Sequence, residues 1–155
     1  MRFLLFLLGL FILSTTMQSS PKSGLDNAMD ISTKAMIAQR TKMEVLAHNI
    51  ANLDTTRTPE GGPYKRKRVV IQSVGSVDHP GGVEVKEIYE DDAPFLRVYD
   101  PGHPDASPDG YVAYPNLDLT SELVEMSKTS SAFETNTVVF NNAKQMMQNS
   151  LDIGK

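Results

Sequence analysis

The chain has 155 residues, a length that suits one modest domain or two long helices around a small one and argues against a large enzyme. Its formal net charge is −4 with cationic residues spread along the chain, which argues against a nucleic-acid partner because no basic face is evident. The absence of cysteine excludes disulfides, thiolate zinc sites and cysteine nucleophiles.

Residues 1–18 have the features of a signal peptide. Arg2 precedes an apolar run over residues 3–13, and a polar stretch follows. The run is too short to cross a bilayer as a helix, which requires about 20 apolar residues, so a permanent anchor is not expected. We expect cleavage after Thr16; the alternative is that translation starts at Met17.

The next predicted element is a long helix over residues 24–54. Its mostly apolar seam advances by steps of four and three residues, at Leu25, Met29, Ser32, Met36, Gln39, Met43, Leu46, Ile50 and Leu53. No proline or glycine interrupts residues 25–56, and this heptad spacing is typical of a helix that packs against another helix. The run over residues 54–63, with its prolines and glycines, ends the helix.

Residues 55–117 are predicted to form a small β-rich insertion. Most of the nine prolines lie here, together with four short β-branched or aromatic runs at residues 69–71, 83–88, 95–99 and 111–114. The pairs Gly81-Gly82 and Asp109-Gly110 are turn signals between strands. An insertion of this size buries little apolar area, so we expect it to lean on the helices or on neighbouring subunits.

A second long helix is predicted over residues 118–153, with either Asn116 or Asp118 as its cap. Its seam repeats the same steps, at Leu119, Leu123, Met126, Ser130, Phe133, Thr137, Phe140, Lys144, Met147 and Leu151. The sequence therefore predicts an α+β fold in which the terminal helices form a coiled-coil-like pair, antiparallel or side by side. Polar seam residues weaken such a pair, and packing against other copies in a filament would stabilise it.

Residues 46–55, LAHNIANLDT, and the following GPYKRK at residues 62–67 resemble the signature of flagellar rod, hook and hook–filament junction proteins. The segments 99–112 and 115–126 narrow the resemblance to proximal-rod members of that family. It implies a structural subunit of the basal-body rod, outside the cytoplasm, that transmits torque. The implied partners are other rod proteins, copies of itself, and components of the inner-membrane ring and export apparatus. Rod proteins normally use the flagellar export apparatus, so the signal-peptide-like segment departs from the family pattern.

The terminal helices and the motif supply the residues that we expect at subunit interfaces. They are Leu46, Asn49, Ile50, Ala51, Asn52, Tyr64, Met126, Phe133, Phe140 and Met147. Small alanines let a neighbouring backbone approach closely, and Asn49 and Asn52 lie on one helix face, where they can bond main-chain groups of a neighbour. The alternative is that both asparagines only end the helix or face water.

Two further segments invite a functional interpretation. Residues 105–110 fit the first half of a calcium loop, but its twelfth position falls on Asn116 and not on a glutamate, so an ordinary turn is expected. Strand alternation would split the basic run over residues 65–68 between two faces, which favours contacts with acidic residues of this or an adjacent copy. The candidate partners are Glu87, Glu90, Asp91 and Asp92.

No motif predicts catalysis. His48, His79 and His103 match no metal-ligand spacing, and nucleophile, zinc-protease and phosphate-loop motifs are absent from the sequence. We therefore expect no enzyme activity, no cofactor, no metal and no small-molecule substrate. The alternative to a rod subunit is a secreted or periplasmic binding or chaperone module.

Overall fold

The computed structural model describes residues 24–75 and 80–153, so the signal-peptide-like segment 1–18 lies outside the described residues. The elements in chain order are α1 (Gly24–Ala51), β1 (Lys67–Gly75), β2 (Pro80–Glu90), β3 (Leu96–Tyr99), β4 (Tyr111–Tyr114) and α2 (Leu119–Ile153). Two long helices flank a small antiparallel β region, which confirms the predicted α+β fold. Within the described residues, neither helix combines the length and the apolar character that a membrane span requires.

Helix α1 has 28 residues and is about 42 Å long. It ends at Ala51, shortly before the predicted end at residue 54. The side-chain amide of Asn52 donates to the carbonyl of His48 at 2.8 Å. Asparagine side chains that bond nearby carbonyls compete with the helical backbone pattern, so the chain leaves the helix through turns at this residue.

Helix α2 has 35 residues, about 52 Å, and begins at a well-formed cap. Of the two predicted caps, Asp118 is the one used: its Oδ2 accepts from the Ser121 backbone N–H at 2.8 Å and from the Ser121 hydroxyl at 2.6 Å. These hydrogen bonds favour the ionised carboxylate and lower the pKa of Asp118. The cap holds a negative charge at the positive end of the helix.

The two helices pack antiparallel, one of the two predicted arrangements. The Thr137 hydroxyl oxygen near the middle of α2 lies 3.3 Å from the sulfur of Met36. Nearer the start of α2, Glu125 forms an ion pair with Lys42, which lies closer to the end of α1. The end of α1 therefore lies beside the start of α2.

The helix faces that become buried differ in part from the predicted seams. On α1 the buried residues are Ser32, Ala38, Val45, Leu46 and Asn49, of which only two belong to the predicted seam. Helix α1 packs on α2 and also on the β1–β2 hairpin, so more than one stripe is covered. A single heptad pattern predicts one buried stripe, and it therefore does not describe a helix that packs against two partners.

On α2 the fully buried positions are one residue before three of the predicted seam positions. They are Glu122, Thr129 and Ala143, where the seam predicted Leu123, Ser130 and Lys144. Leu123 is half exposed. An α-helix of 3.6 residues per turn drifts relative to a 3.5-residue repeat, so an apolar seam read from the sequence does not fix which of two adjacent rows is innermost.

The four strands form two separate antiparallel hairpins, β1 with β2 and β3 with β4. The predicted turn at Asp109-Gly110 is confirmed: Gly110 has φ +79° and its N–H bonds the carbonyl of Ser107 at 2.8 Å, immediately before β4. The predicted turn at Gly81-Gly82 is wrong, because both glycines lie inside β2.

The glycines of β2 instead allow a close approach between elements. A Cβ at Gly81 would come within 2.7 Å of the Val74 carbonyl oxygen, and one at Gly82, where φ is +85°, within 3.3 Å of the Ile31 Cα. The Lys34 ammonium adds a hydrogen bond to the Gly81 carbonyl at 2.9 Å. The β1–β2 hairpin therefore packs against α1, as expected for an insertion that buries little apolar area by itself.

Candidate assembly site at the helix–hairpin corner

Asn49 lies at the centre of the corner where α1, α2 and β1 meet. It is 1% exposed, and its amide nitrogen donates to the Lys67 carbonyl at 2.9 Å and to Glu122 Oε2 at 3.1 Å. Its oxygen accepts from the Lys67 N–H and from the Tyr64 hydroxyl, both at 3.0 Å. Both donors and both acceptor positions are thus used within the chain. Asn49 pairs with the first residue of β1 as a neighbouring strand would.

Glu122 joins the start of α2 to the same corner. Its side chain is completely buried and forms an ion pair with the guanidinium of Arg66, whose side chain is 27% exposed, while its second oxygen accepts from Asn49. Burying a carboxylate is costly unless a cation and hydrogen bonds compensate it. Here Arg66 supplies the cation and Asn49 supplies one hydrogen bond; apart from the ion pair, Glu122 Oε1 and Arg66 Nε have no hydrogen-bond partner among the described residues. The pair therefore fixes α2 against the residue that precedes β1.

Tyr64 closes the corner from the loop side. Burial raises the pKa of its hydroxyl, and the carboxylates of Glu90 and Glu122 raise it further. The phenol therefore stays protonated at neutral pH and remains able to donate to Asn49. Its backbone N–H bonds the carbonyl of Thr55 at 3.0 Å, which anchors the loop that follows α1.

The predicted interface residues fall into two groups in the structure. Leu46, Asn49 and Tyr64 are buried within the chain itself. The others are at least partly accessible: Ala51 is exposed, and the half-buried ones are Ile50, Asn52, Met126, Phe133, Phe140 and Met147. Their contacts with other subunits stay a prediction. Sequence reasoning missed Arg66 and Glu122 as partners; the available signal was that Glu122 is the acidic residue in the first turn of α2.

The basic run contacts acidic residues of the same chain. Lys65 lies 3.9 Å from Glu90 and 3.7 Å from Asp92, and Arg68 lies 2.9 Å from Asp91. Glu87, the fourth candidate partner, lies opposite Val70 across the hairpin. Exposed pairs of this kind contribute little to stability, so they orient the hairpin surface more than they hold the fold together.

The side chain of Asp105, in the candidate calcium loop of residues 105–110, bonds other residues of the chain. Asp105 forms an ion pair with Arg57 at 2.7 Å and accepts from the Thr56 hydroxyl at 2.8 Å. These contacts join the loop after α1 to the loop before β4. Over residues 24–75 and 80–153, no group of histidine, aspartate and glutamate side chains is placed to hold a metal ion.

Two protein-family models match the segments of the chain on either side of this corner. The family model described as "Flagella basal body rod protein" matches residues 29–57, and the model described as "Flagellar basal body rod FlgEFG protein C-terminal" matches residues 109–153. The first segment contains Asn49 and the second contains Glu122, so the two matched segments meet in the hydrogen bond between these side chains.

Full-length relatives agree with the family models. The flagellar basal-body rod protein FlgC of Bacillus subtilis is 38% identical, over 83% of this chain and 97% of the relative. The FlgC proteins of Borreliella burgdorferi and Salmonella typhimurium are 35% and 38% identical, and each is covered over 97% of its length. On this evidence the chain belongs to the FlgC family of flagellar basal-body rod proteins.

Proposed function

We propose that the chain is a structural subunit of the flagellar basal-body rod, that it polymerises through its terminal helices, and that it transmits torque without catalysing a reaction. The observation that carries this proposal is the similarity to FlgC rod proteins over nearly their whole length. The alternative, a binding or chaperone module, has no support in these comparisons.

The architecture suits a mechanical role. The antiparallel helices, about 42 Å and 52 Å long, distribute their contact over many side chains, each of which contributes a small dispersion energy. The corner of Asn49, Glu122 and Tyr64 holds the β1–β2 hairpin to both helices. A twisting force on the hairpin would therefore be passed to the helix pair without depending on a flexible linker.

The accessible interface residues are proposed to contact neighbouring subunits. Ala51 would allow close approach at the end of α1, beside Ile50 and Asn52. Along α2, the half-buried row at seven-residue spacing consists of Met126, Phe133, Phe140 and Met147. The buried residues would not contact a neighbouring subunit directly; they would fix the shape of that surface. They are Leu46, Asn49 and Tyr64.

Helix α2 also exposes apolar side chains, which supports polymerisation. They include Val124, Val138, Val139 and Met146, each between about two-fifths and three-fifths exposed. Exposed apolar surface of this extent on one helix is typical of a protein–protein interface. The proposed partners are other rod components and copies of the chain itself. At the base of the rod they would include components of the inner-membrane ring and the export apparatus. The chain itself would lie in the basal body, outside the cytoplasm.

The proposal is tested by recovering the protein from purified basal bodies and measuring its intact mass and N-terminal sequence. We expect the chain in the rod fraction, beginning at or just after Met17. Replacing Met17 separates the two predicted origins of that terminus, because cleavage after Thr16 would survive a change that removes an internal start. Absence from basal bodies together with a free periplasmic form would contradict the rod role.

A further inference from the structure

The β3–β4 hairpin lies apart from the other elements of the fold. Among the described residues, no Cα atom of either strand comes within 8 Å of a Cα atom of α1, α2, β1 or β2. All four residues of β3 are exposed. A two-stranded hairpin is marginally stable by itself in water, so this one depends on the loops around it. We call residues 93–114, which comprise the hairpin and the loop between its strands, the arm.

The arm is held together by contacts within itself. Arg97 pairs with Asp109 at 2.6 Å, and its guanidinium lies 4.7 Å from the centre of the Tyr111 ring. Tyr99 packs edge-on against the same ring, with 5.3 Å between the ring centres. In the loop, the Ser107 N–H donates to the Tyr111 carbonyl at 2.9 Å. The arm therefore has internal contacts that do not depend on the helices.

A cleft of about 240 Å³ separates the arm from the loop that follows α1. It is lined on the arm by Asp105 and Ala113 and on the loop by Thr56, Arg57, Gly62 and Pro63. Among the described residues, the ion pair and the side-chain hydrogen bond that cross this cleft both end on Asp105. Its Oδ1 pairs with the Arg57 guanidinium at 2.7 Å, and its Oδ2 accepts from the Thr56 hydroxyl at 2.8 Å. A single carboxylate thus bridges the two sides.

The bridge is firm on the arm and open to water on the loop. The Asp105 N–H donates to His103 Nδ1 at 3.1 Å, and the His103 ring lies edge-on to Tyr114 of β4, with 6.2 Å between the ring centres. The Asp105 side chain is 19% exposed, whereas that of Arg57 is 73% exposed. Exposed ion pairs contribute little to stability, so this one can open without unfolding the corner around Asn49.

We propose that Asp105 is a latch, which holds the arm in one orientation against the loop after α1, and that the arm turns as a unit when the latch opens. The latch belongs to the isolated chain and needs no second subunit, so it goes beyond the proposed function. The arm exposes about half or more of Leu96, Val98 and Tyr99. The latch would therefore set the direction in which these apolar side chains face.

The absence of cysteine from the sequence allows spin labels to be placed at two chosen sites. The full-length chain with Glu44→Cys and Val98→Cys carries one label on α1 and one on the arm, both at exposed positions. Double electron–electron resonance should give one narrow distribution of distances between them. Adding Asp105→Ala should broaden this distribution about twofold or add a second distance, because the arm then samples more than one orientation.

The matched control is Asp109→Ala, which also removes an aspartate that pairs with an arginine. The partners of Asp109 are Arg97 and Ser107, which lie within the arm, so the distance to α1 should not change. A reference pair of labels, Glu44→Cys with Glu134→Cys, joins the two helices at exposed positions and should be the same in every variant. Equal broadening by Asp105→Ala and Asp109→Ala, or a change in the reference pair, would overturn the proposal.

Charge exchange tests the ion pair itself. Arg57→Asp alone should broaden the distribution, and Arg57→Asp with Asp105→Arg should restore most of its narrow width. An exchanged variant as broad as Asp105→Ala would overturn the latch.

Apolar packing is the competing support for the arm, because Val112 of β4 is completely buried. If this packing held the arm by itself, Asp105→Ala would leave the distribution unchanged, and the latch would be wrong. Recovery of the wild-type chain from basal bodies tests the rod role separately. A failed latch would leave that role intact, and absence from basal bodies would leave the latch intact.

Discussion

Replacing Asn49 with alanine should destabilise the fold more than any other change at the end of α1. The substitution removes four hydrogen bonds, two of them to the buried partners Glu122 and Tyr64 and two to the partly buried backbone of Lys67. A buried group left without a partner costs about 1–3 kcal/mol, and a partly buried one costs less because water reaches it. Glu122 keeps its pair with Arg66. We therefore expect a loss of about 3–5 kcal/mol, a large share of the roughly 5–15 kcal/mol that stabilises a typical domain.

The assay is urea unfolding of the full-length chain followed by far-ultraviolet circular dichroism. Asn52→Ala is the matched control. Its side chain donates to the exposed His48 carbonyl and accepts from the partly buried Thr55 hydroxyl, so this substitution should cost about 1 kcal/mol. Hydrogen exchange of the Lys67 amide adds a local measurement, since its N–H loses its acceptor only in Asn49→Ala. Equal stability of the two variants, with unchanged Lys67 protection, would refute the role given to Asn49.

Three further predictions concern the corner, the α2 cap and the contact between hairpin and helix. Glu122→Gln should cost about 2–4 kcal/mol in urea unfolding, because it leaves Arg66 without its buried counter-charge, whereas Glu134→Gln, on the exposed face of α2, should be nearly neutral. The folded-state pKa of Asp118 is lowered, so its stabilising contribution is present above the unfolded pKa and is lost as the pH falls through the folded pKa. Asp118→Asn should therefore reduce the fall in unfolding free energy on the acid side of a plot of stability against pH. An unchanged fall would contradict this. Gly82→Ala should cost about 1 kcal/mol or more in thermal unfolding, because Gly82 has φ +85° and lies close to the backbone of α1. The control is Gly102→Ala, at an ordinary φ; a cost for Gly82→Ala no larger than the cost for this control would contradict the prediction.

The helices could be predicted from sequence because their signals are local. Residues 25–56 contain no proline or glycine, and Asp118 has the side chain that a helix cap requires. The strands followed from short β-branched runs for the same reason. The innermost rows could not be predicted for two reasons. On α1, the β1–β2 hairpin covers residues outside the predicted seam. On α2, the 3.6-residue turn drifts relative to the 3.5-residue repeat, so Thr129 is buried in place of Ser130. A single periodic pattern does not describe a helix with two neighbours.

The site shows a similar division. Asn49 could be identified because it lies in a recognisable motif. Two of its four hydrogen bonds, however, are to the backbone of Lys67, and sequence patterns describe side chains better than main-chain groups. The pairing of Arg66 with Glu122 joins residues distant in sequence, whereas nearby acidic residues looked like better partners. Proximity along the chain correctly predicted the exposed pairs of Lys65 and Arg68 and missed the buried one.

The position of the corner explains how a subunit contact beside it would transmit force. Arg66 is held by Glu122, and Lys67 is held by Asn49. A neighbouring subunit that contacts these two residues would therefore push on groups fixed to α1, α2 and β1 at once. Since buried hydrogen-bonded networks resist displacement more than exposed ion pairs do, force would enter both helices together and not bend the hairpin first. A polymer joined at this corner would be joined where the helices and the hairpin are held together, which is what a shaft under torsion requires.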